Sequence, residues 1–151
     1  GCPEQVRKRI QKVKDVKELY SFGAQVMPSC HRGMEILFAT CKQTGKDVVI
    51  KVRRKRKSFI SSSAEQEWRA STEFVLNLPV YEGVASIYEV LEDDEAYCVV
   101  MEKVPGKDLF EAVCANEVCG LAEVKEIMRQ LLSALDVMRL ALREVPPRHC
   151  S

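Results

Sequence analysis

The sequence predicts an α+β fold with a five-stranded antiparallel sheet, one helix packed on a face of that sheet, and further helices after it. Short segments rich in β-branched and apolar residues occur in the first third of the chain and again after residue 84. A segment with helical spacing separates these two groups. The strongest helical period comes last, over residues 121–142, and predicts a separate helical layer.

The first third of the chain predicts a lead-in helix and a three-stranded meander. Apolar residues recur at roughly helical spacing in residues 5–19 (QVRKRIQKVKDVKEL), which favours a short amphipathic helix. A short polar link with a glycine, KQTGK, separates the second and third strands and is typical of a hairpin. The three predicted strands are 20–27 (YSFGAQVM), 34–41 (MEILFATC) and 47–52 (DVVIKV).

A helix and two more strands follow. Any of the serines 61–63 is a suitable cap for a helix that begins near Ala64 and stops at Pro79, with Trp68, Thr72, Val75 and Leu76 on one face. The remaining predicted elements are the strands 85–93 and 95–104, a short helix over 108–114, and the long helix over 121–142.

Charge and cysteine content narrow the functional classes. Lys and Arg total 23 against 22 Asp and Glu, so the chain lacks the basic excess of a dedicated DNA-binding domain. No apolar run reaches the length of a membrane span. The seven cysteines are an odd number in a chain without a secretion signal, which favours reduced thiols and a cytosolic or nuclear protein. Cys114 and Cys119 have no nearby histidine, so no metal site is predicted.

The segment 48–57 (VVIKVRRKRK) allows two interpretations. As a basic cluster it resembles a nuclear-import signal or a nucleic-acid patch. As a strand, Val48–Val52 presents one lysine, Lys51, and Arg53–Lys57 form the exposed exit from that strand. We favour the second interpretation, because acidic stretches such as Glu92–Glu95 offset the basic run over the whole chain.

Three segments in the right order resemble the N-terminal lobe and the start of the C-terminal lobe of eukaryotic Ser/Thr protein kinases. They are KQTGKDVVIKV, IYEVLEDDEAYCVVMEKVPGKDLFEAV and EVKEIMRQLLSALDVM, within residues 18–138. The sequences of these segments are most similar to those of calcium- and calmodulin-dependent kinases. The resemblance implies an N-terminal extension over 1–19, a kinase-like lobe over 20–104, and a hinge exit with an incomplete helical lobe over 105–151.

The resemblance also implies ATP as the cofactor and a set of residues that bind it. Lys51 is the lysine that contacts the phosphates, although a strand lysine that extends to solvent has the same pattern. Its glutamate partner is Glu73 or, as an alternative, Glu67; the matching register position is Thr72. The other implied contacts are Ile36 and Val49 around the adenine, Met101 as gatekeeper, Glu102 and Val104 on the adenine edge, and Asp108 on the ribose.

Two departures limit the implied activity. The position of the glycine-rich loop reads Ser29-Cys30-His31-Arg32-Gly33-Met34 and contains one glycine. The H-R-D and D-F-G motifs do not follow residue 138, where the sequence reads RLALREVPPRHCS. No catalytic residue and no magnesium ligand is therefore predicted, and we expect the chain to transfer no phosphate alone. The alternative is a pseudokinase or kinase-like fragment that acts through protein contacts, and the apolar face of 121–142 favours self-association.

Overall fold

A computed structural model describes residues 7–28, 31–117 and 120–143, with side chains as far as residue 140. It confirms the α+β fold class and most of the predicted elements. The strands are β1 (Gln11–Lys12), β2 (Tyr20–Met27), β3 (Met34–Cys41), β4 (Asp47–Arg54), β5 (Ile87–Glu92) and β6 (Ala96–Glu102). The helices are α1 (Lys55–Ser58), α2 (Ser62–Leu76), α3 (Leu109–Cys114) and α4 (Leu121–Arg143), with a 3-10 turn at Val16–Glu18.

The sheet has six strands where the sequence predicts five. Their order is β1-β5-β6-β4-β3-β2, and every neighbouring pair is antiparallel except β1 with β5. The additional strand is only two residues long, with Gln11 opposite Leu91 and Lys12 opposite Glu92. The sheet is therefore mixed, because a short N-terminal segment runs parallel along the edge of β5.

The predicted lead-in helix over 5–19 is wrong for the residues that the structure describes. Instead of a helix, the segment pairs with β5 through Gln11 and Lys12 and then enters the 3-10 turn. The side chain of Val16 is 2% exposed and lies within the main hydrophobic core. Pairing with a sheet edge and burial of Val16 provide long-range contacts that outweigh a weak helical period.

The main hydrophobic core cluster lies on one face of the sheet. Val48, Ile50 and Val52 alternate along β4 and are buried, as the period of two in a strand requires. Their cross-strand neighbours Ala39 and Val100 are also buried. This alternation places the intervening residues of β4, including Lys51, on the opposite face.

Helix α2 begins where the sequence predicts. The hydroxyl of Ser61 accepts a hydrogen bond from the amide of Ala64 at 3.1 Å, which confirms a serine cap. Leu76 is buried at the end of the helix, whereas Val75 is 40% exposed, so the predicted apolar face is narrower than the sequence pattern indicates.

The chain divides into two compact units. The first runs up to Leu78 and includes Ser86–Lys103, and it contains the whole sheet and α2. The second comprises Pro79–Ala85 and the chain from Val104 onward, with α3 and α4. In the described part of the chain, no helix is long and apolar enough to cross a membrane.

Candidate functional site

Four of the residues expected to bind nucleotide share one face of the sheet. On β4, Val49 lies opposite Met101 of β6, and Lys51 lies opposite Ile36 of β3. Directly opposed residues in a ladder project from the same face. Ile36, Val49 and Met101 are half-buried and Lys51 is exposed. These four residues therefore place one cation, Lys51, beside three apolar side chains.

The expected glutamate partner of Lys51 makes a different contact. Glu73 Oε1 accepts a hydrogen bond from the amide of Ile10 at 3.3 Å, which ties α2 to the N-terminal segment. Among the ion pairs of the described residues, none joins Lys51 to Glu73 or to Glu67. The structure thus brings Lys51 together with Ile36, Val49 and Met101 but with neither acid.

Glu102 ends β6, and both its backbone amide and its side-chain carboxylate form hydrogen bonds with Ser86. Its amide donates to the carbonyl of Ser86 at 2.9 Å, and its carboxylate accepts from the amide of Ser86 at 3.1 Å. These two bonds fix the backbone at the position where the resemblance expects the adenine edge to be bound.

Val104 and Asp108 belong to the second unit. Val104 is 61% exposed. Asp108 caps α3: its carboxylate accepts from the amide of Glu111 at 2.7 Å, while the carboxylate of Glu111 accepts from the amide of Asp108 at 3.1 Å. This reciprocal pair is a capping box, which gives Asp108 a role in helix formation independent of any ribose.

The described part of the loop between β2 and β3 packs on helix α1. Gly33 has a φ of +75°, and a Cβ at this position would lie 2.6 Å from Cβ of Lys57 and 2.8 Å from Oγ of Ser58. Its carbonyl accepts from the amide of Arg54 at 2.8 Å. Gly33 is thus required for close backbone packing. Ser29 and Cys30, the first two residues at the position expected for a glycine-rich loop, lie outside the described residues.

Helix α2 is joined to the sheet by a buried carboxylate that the sequence analysis did not single out. Glu92 at the end of β5 is 7% exposed. Its two oxygens accept from Lys55 Nζ at 2.9 Å and from Arg69 Nη1 at 2.5 Å. Arg69 also donates to the hydroxyl of Tyr97 at 2.8 Å, and that hydroxyl donates to Glu65 at 2.5 Å. We call Lys55, Glu65, Arg69, Glu92 and Tyr97 the α2 anchor.

The pKa values of the α2 anchor follow from these contacts. Burial acts to raise the pKa of Glu92, but the hydrogen bonds from Arg69 and Lys55 outweigh it, so this pKa is lowered. The hydrogen bond to Glu92 raises the pKa of Arg69. Burial and the bond to Glu65 raise the pKa of Tyr97 to about 12. At neutral pH the anchor therefore holds an ionised carboxylate between two cations.

An aromatic cluster adjoins the anchor. The rings of Phe59, Trp68 and Tyr97 lie with centroids 4.8–6.0 Å apart. The guanidinium of Arg53 lies 4.3 Å from the centroid of Phe59 and 5.3 Å from that of Trp68. Burial lowers the pKa of Arg53. The cluster packs α2 and the segment before it against the ends of β4 and β6.

The basic run after Lys51 is largely occupied by contacts within the chain, so the description of Arg53–Lys57 as an exposed exit is corrected for its first three residues. Arg53 contacts the aromatic cluster, and Arg54 pairs with Glu35 at 3.3 Å and Glu95 at 3.4 Å. Lys55 belongs to the α2 anchor. Only Arg56 and Lys57 of the run are exposed side chains. This distribution weakens the nucleic-acid interpretation further.

Comparisons with known proteins identify relatives of this chain. Cds1, a serine/threonine-protein kinase of Schizosaccharomyces pombe, is 33% identical over 97 residues, which cover 61% of this chain and 20% of that protein. CBL-interacting protein kinase 32 of Oryza sativa is 28% identical over 102 residues, covering 68% of this chain and 23% of that protein. The crystal structure of Rad53 in complex with AMP-PNP matches with a TM-score of 0.68 and 26% identity, over 82% of this chain and 31% of the Rad53 chain.

No protein-family model matches the chain. The chain spans less than a quarter of the length of the two curated relatives described above. Within that span, its homologues are Ser/Thr protein kinases and its α+β fold is kinase-like.

Proposed function

We propose that these residues are the nucleotide-binding part of a Ser/Thr protein kinase and that they bind ATP on the sheet face that carries Lys51. The observation that carries the proposal is the register of β3, β4 and β6, which places Lys51 beside Ile36, Val49 and Met101. Apolar side chains suit an adenine ring, and an exposed strand lysine suits its phosphates. The Rad53 structure, which contains AMP-PNP, supports the same ligand class.

We further propose that the 151 residues transfer no phosphate by themselves. Phosphoryl transfer depends on a catalytic base and on ligands for Mg²⁺, in addition to cations that hold the nucleotide. The sequence contains neither an H-R-D nor a D-F-G motif. Lys51 would therefore bind and orient the phosphates, and Glu102, Val104 and Asp108 would contribute to the base and ribose contacts.

Titration with Mg-ATP tests the proposal. We expect ATP to raise the melting temperature of the wild-type chain and Lys51→Met to weaken binding by about tenfold or more, as loss of a charge-assisted hydrogen bond implies. Lys42→Met is the matched control, because Lys42 is an exposed lysine in the hairpin before β4. A shift that is equal in wild type and Lys51→Met would remove Lys51 from the site.

A protein-interaction module with little ATP affinity is the second candidate function. Two observations favour it. Among the described residues Lys51 has neither Glu73 nor Glu67 as an ion-pair partner, and the ion pair that joins α2 to the sheet is formed by Arg69 and Glu92. If Mg-ATP leaves the melting temperature of the wild-type chain unchanged, this second function replaces the first.

We propose an N-terminal extension over 1–19, a kinase-like lobe over 20–104 and a hinge exit with a partial helical lobe over 105–151, and we propose the calcium- and calmodulin-dependent kinases as the nearest subfamily. A cytoplasmic location, with the nucleus as the alternative, is supported by the free thiols of Cys41, Cys98 and Cys114 among the described residues. Self-association through α4, or a protein partner on it, is supported by the exposure of its apolar side chains.

A further inference from the structure

A small basic pocket lies where the loop between β2 and β3 meets helix α1. Its volume is about 280 Å³, just below the roughly 300–1,000 Å³ of pockets that bury whole small molecules. Three of its six lining residues are cationic and one is acidic. The lining residues are Arg32, Gly33, Met34, Glu35, Arg54 and Lys57.

The charges of the pocket are unevenly compensated. Glu35 pairs with Arg54 at 3.3 Å, and Arg54 also reaches Glu95 at 3.4 Å. Arg32 and Lys57 take part in none of the ion pairs found among the described residues. Arg32 and Lys57 therefore line the pocket as two cations without an ion-pair partner among the described residues, beside the ion pair of Arg54 and Glu35.

Backbone contacts hold the loop that carries Arg32 against the helix that carries Lys57. Gly33 separates Arg32 from β3 and packs directly on Lys57 and Ser58, where no Cβ would fit. The carbonyl of Gly33 accepts from the amide of Arg54 at 2.8 Å and from the hydroxyl of Ser58 at 3.1 Å. This packing brings the main-chain positions of the two residues close together, while both side chains are exposed.

We propose that this pocket binds a phosphomonoester, presented as a phosphorylated serine or threonine on a partner segment. A phosphomonoester carries a charge of about −1.5 to −2 at neutral pH, which matches the two available cations, and its three oxygens accept from an arginine and a lysine together. A phosphodiester carries a single negative charge, and a nucleic acid would need several such contacts in a row. The neighbouring Arg53, Arg54 and Lys55 are already engaged within the chain.

The pocket and the proposed nucleotide face use different residues of β4. Arg54 follows Val48, Ile50 and Val52 at intervals of two along β4, whereas Lys51 lies on the alternate face. Met34 also lines the pocket and lies opposite Arg53, on the Lys51 face, so the two sites adjoin. The proposed phosphomonoester site rests on the charges of the pocket and does not depend on ATP binding.

Fluorescence anisotropy with a labelled, glycine-flanked phosphoserine peptide tests the inference. We expect saturable binding by the wild-type chain, no binding of the unphosphorylated peptide, and a loss of about tenfold in affinity for either Arg32→Gln or Lys57→Gln. Arg56→Gln removes the same charge from an exposed neighbour that does not line the pocket, and we expect it to change the affinity by less than about twofold. Circular dichroism and the melting temperature establish that each variant is folded.

Four competition and control outcomes would overturn the inference. An equal loss in Arg56→Gln would indicate non-specific attraction to the basic run. Inorganic phosphate that competes as strongly as the peptide would indicate a site for a free anion. Displacement by Mg-ATP at its own binding affinity would place the peptide on the nucleotide face. Tighter binding of single-stranded DNA, lost in the same two variants, would indicate a nucleic-acid site.

Discussion

Arg69 Nη1 lies 2.5 Å from Oε2 of Glu92, and these residues are 23 positions apart in the chain. One belongs to the middle of α2 and the other to the end of β5, so this contact ties the helix to the sheet. The carboxylate of Glu92 also accepts from Lys55, which follows β4. A single buried acid thus connects three elements of the first unit.

Replacement of Glu92 by Gln is expected to destabilise the protein. The substitution leaves Arg69 and Lys55 partly buried without their carboxylate, and the expected cost is about 1.5–3 kcal/mol, the range of hydrogen bonds to charged groups. Urea unfolding followed by circular dichroism measures this loss. Asp94→Asn is the control, because Asp94 is exposed in the adjacent turn and its replacement is expected to cost less than about 0.5 kcal/mol. Equal effects of the two substitutions would contradict a role for Glu92 in joining α2 to the sheet.

The same carboxylate predicts a pH dependence of stability. The pKa of Glu92 in the folded protein is below its ordinary value of 4.5. A lowered folded-state pKa means that the unfolded chain binds the proton more readily, so the stabilisation is fully present above pH 4.5. It is lost as the pH falls through the folded-state pKa. The difference in unfolding free energy between wild type and Glu92→Gln should therefore be constant near neutral pH and shrink below pH 4.5. A difference that grows on acidification would contradict this assignment.

Alanine substitutions at two glycines with similar backbone angles distinguish the cost of backbone strain from the cost of a steric clash. Gly33 and Gly45 have φ values of +75° and +71°, so alanine is strained at both positions. A Cβ at position 33 would meet Lys57 at 2.6 Å, whereas a Cβ at position 45 would have nothing within 4 Å. We expect Gly45→Ala to cost about 1 kcal/mol and Gly33→Ala about 2–4 kcal/mol, since α1 must move in the second case. Unfolding in urea measures both, and equal costs would show that the contact with α1 yields easily.

Local signals in the sequence predicted most elements, whereas contacts between distant residues were not predictable. The alternation around Lys51 and the Ser61 cap each depend on neighbours within a few residues, and both are confirmed. The contact between Arg69 and Glu92 has no such local signature. In the sequence, each of the two looks like an ordinary charged residue on the exposed face of a helix or strand. The prediction of an N-terminal helix was wrong for the same reason, because pairing with β5 and burial of Val16 depend on residues distant in the sequence.

The nucleotide face shows the same division. The resemblance implied roles for Ile36, Val49 and Lys51, and the strand register puts the three on one face, but periodicity alone did not distinguish Ile36 and Val49 from ordinary sheet core. The partner of Lys51 depends on how α2 rotates against the sheet. Trp68 and Arg69 on α2 both contact Tyr97 of β6. In the sequence Tyr97 is one aromatic residue among the apolar residues of a strand, so its contacts with α2 could not be predicted.

Helix α4 predicts self-association of the 151-residue chain. Leu121, Val124, Met128, Leu131, Leu132 and Leu135 are each at least 47% exposed. They recur three or four positions apart, which places them along one side of the helix, and each contributes about 1.5–3 kcal/mol when fully buried.

We therefore expect the chain to form dimers at high micromolar concentration in sedimentation equilibrium. The double substitution Leu132→Glu and Leu135→Glu should give a monomer, because two charges in an apolar contact oppose its desolvation. The control is Gln130→Glu with Ser133→Glu, which adds the same charge at exposed polar positions of the same helix and should leave the dimer intact. A wild-type chain that stays monomeric, or a dimer that survives the leucine substitutions, would show that this face of α4 does not mediate association.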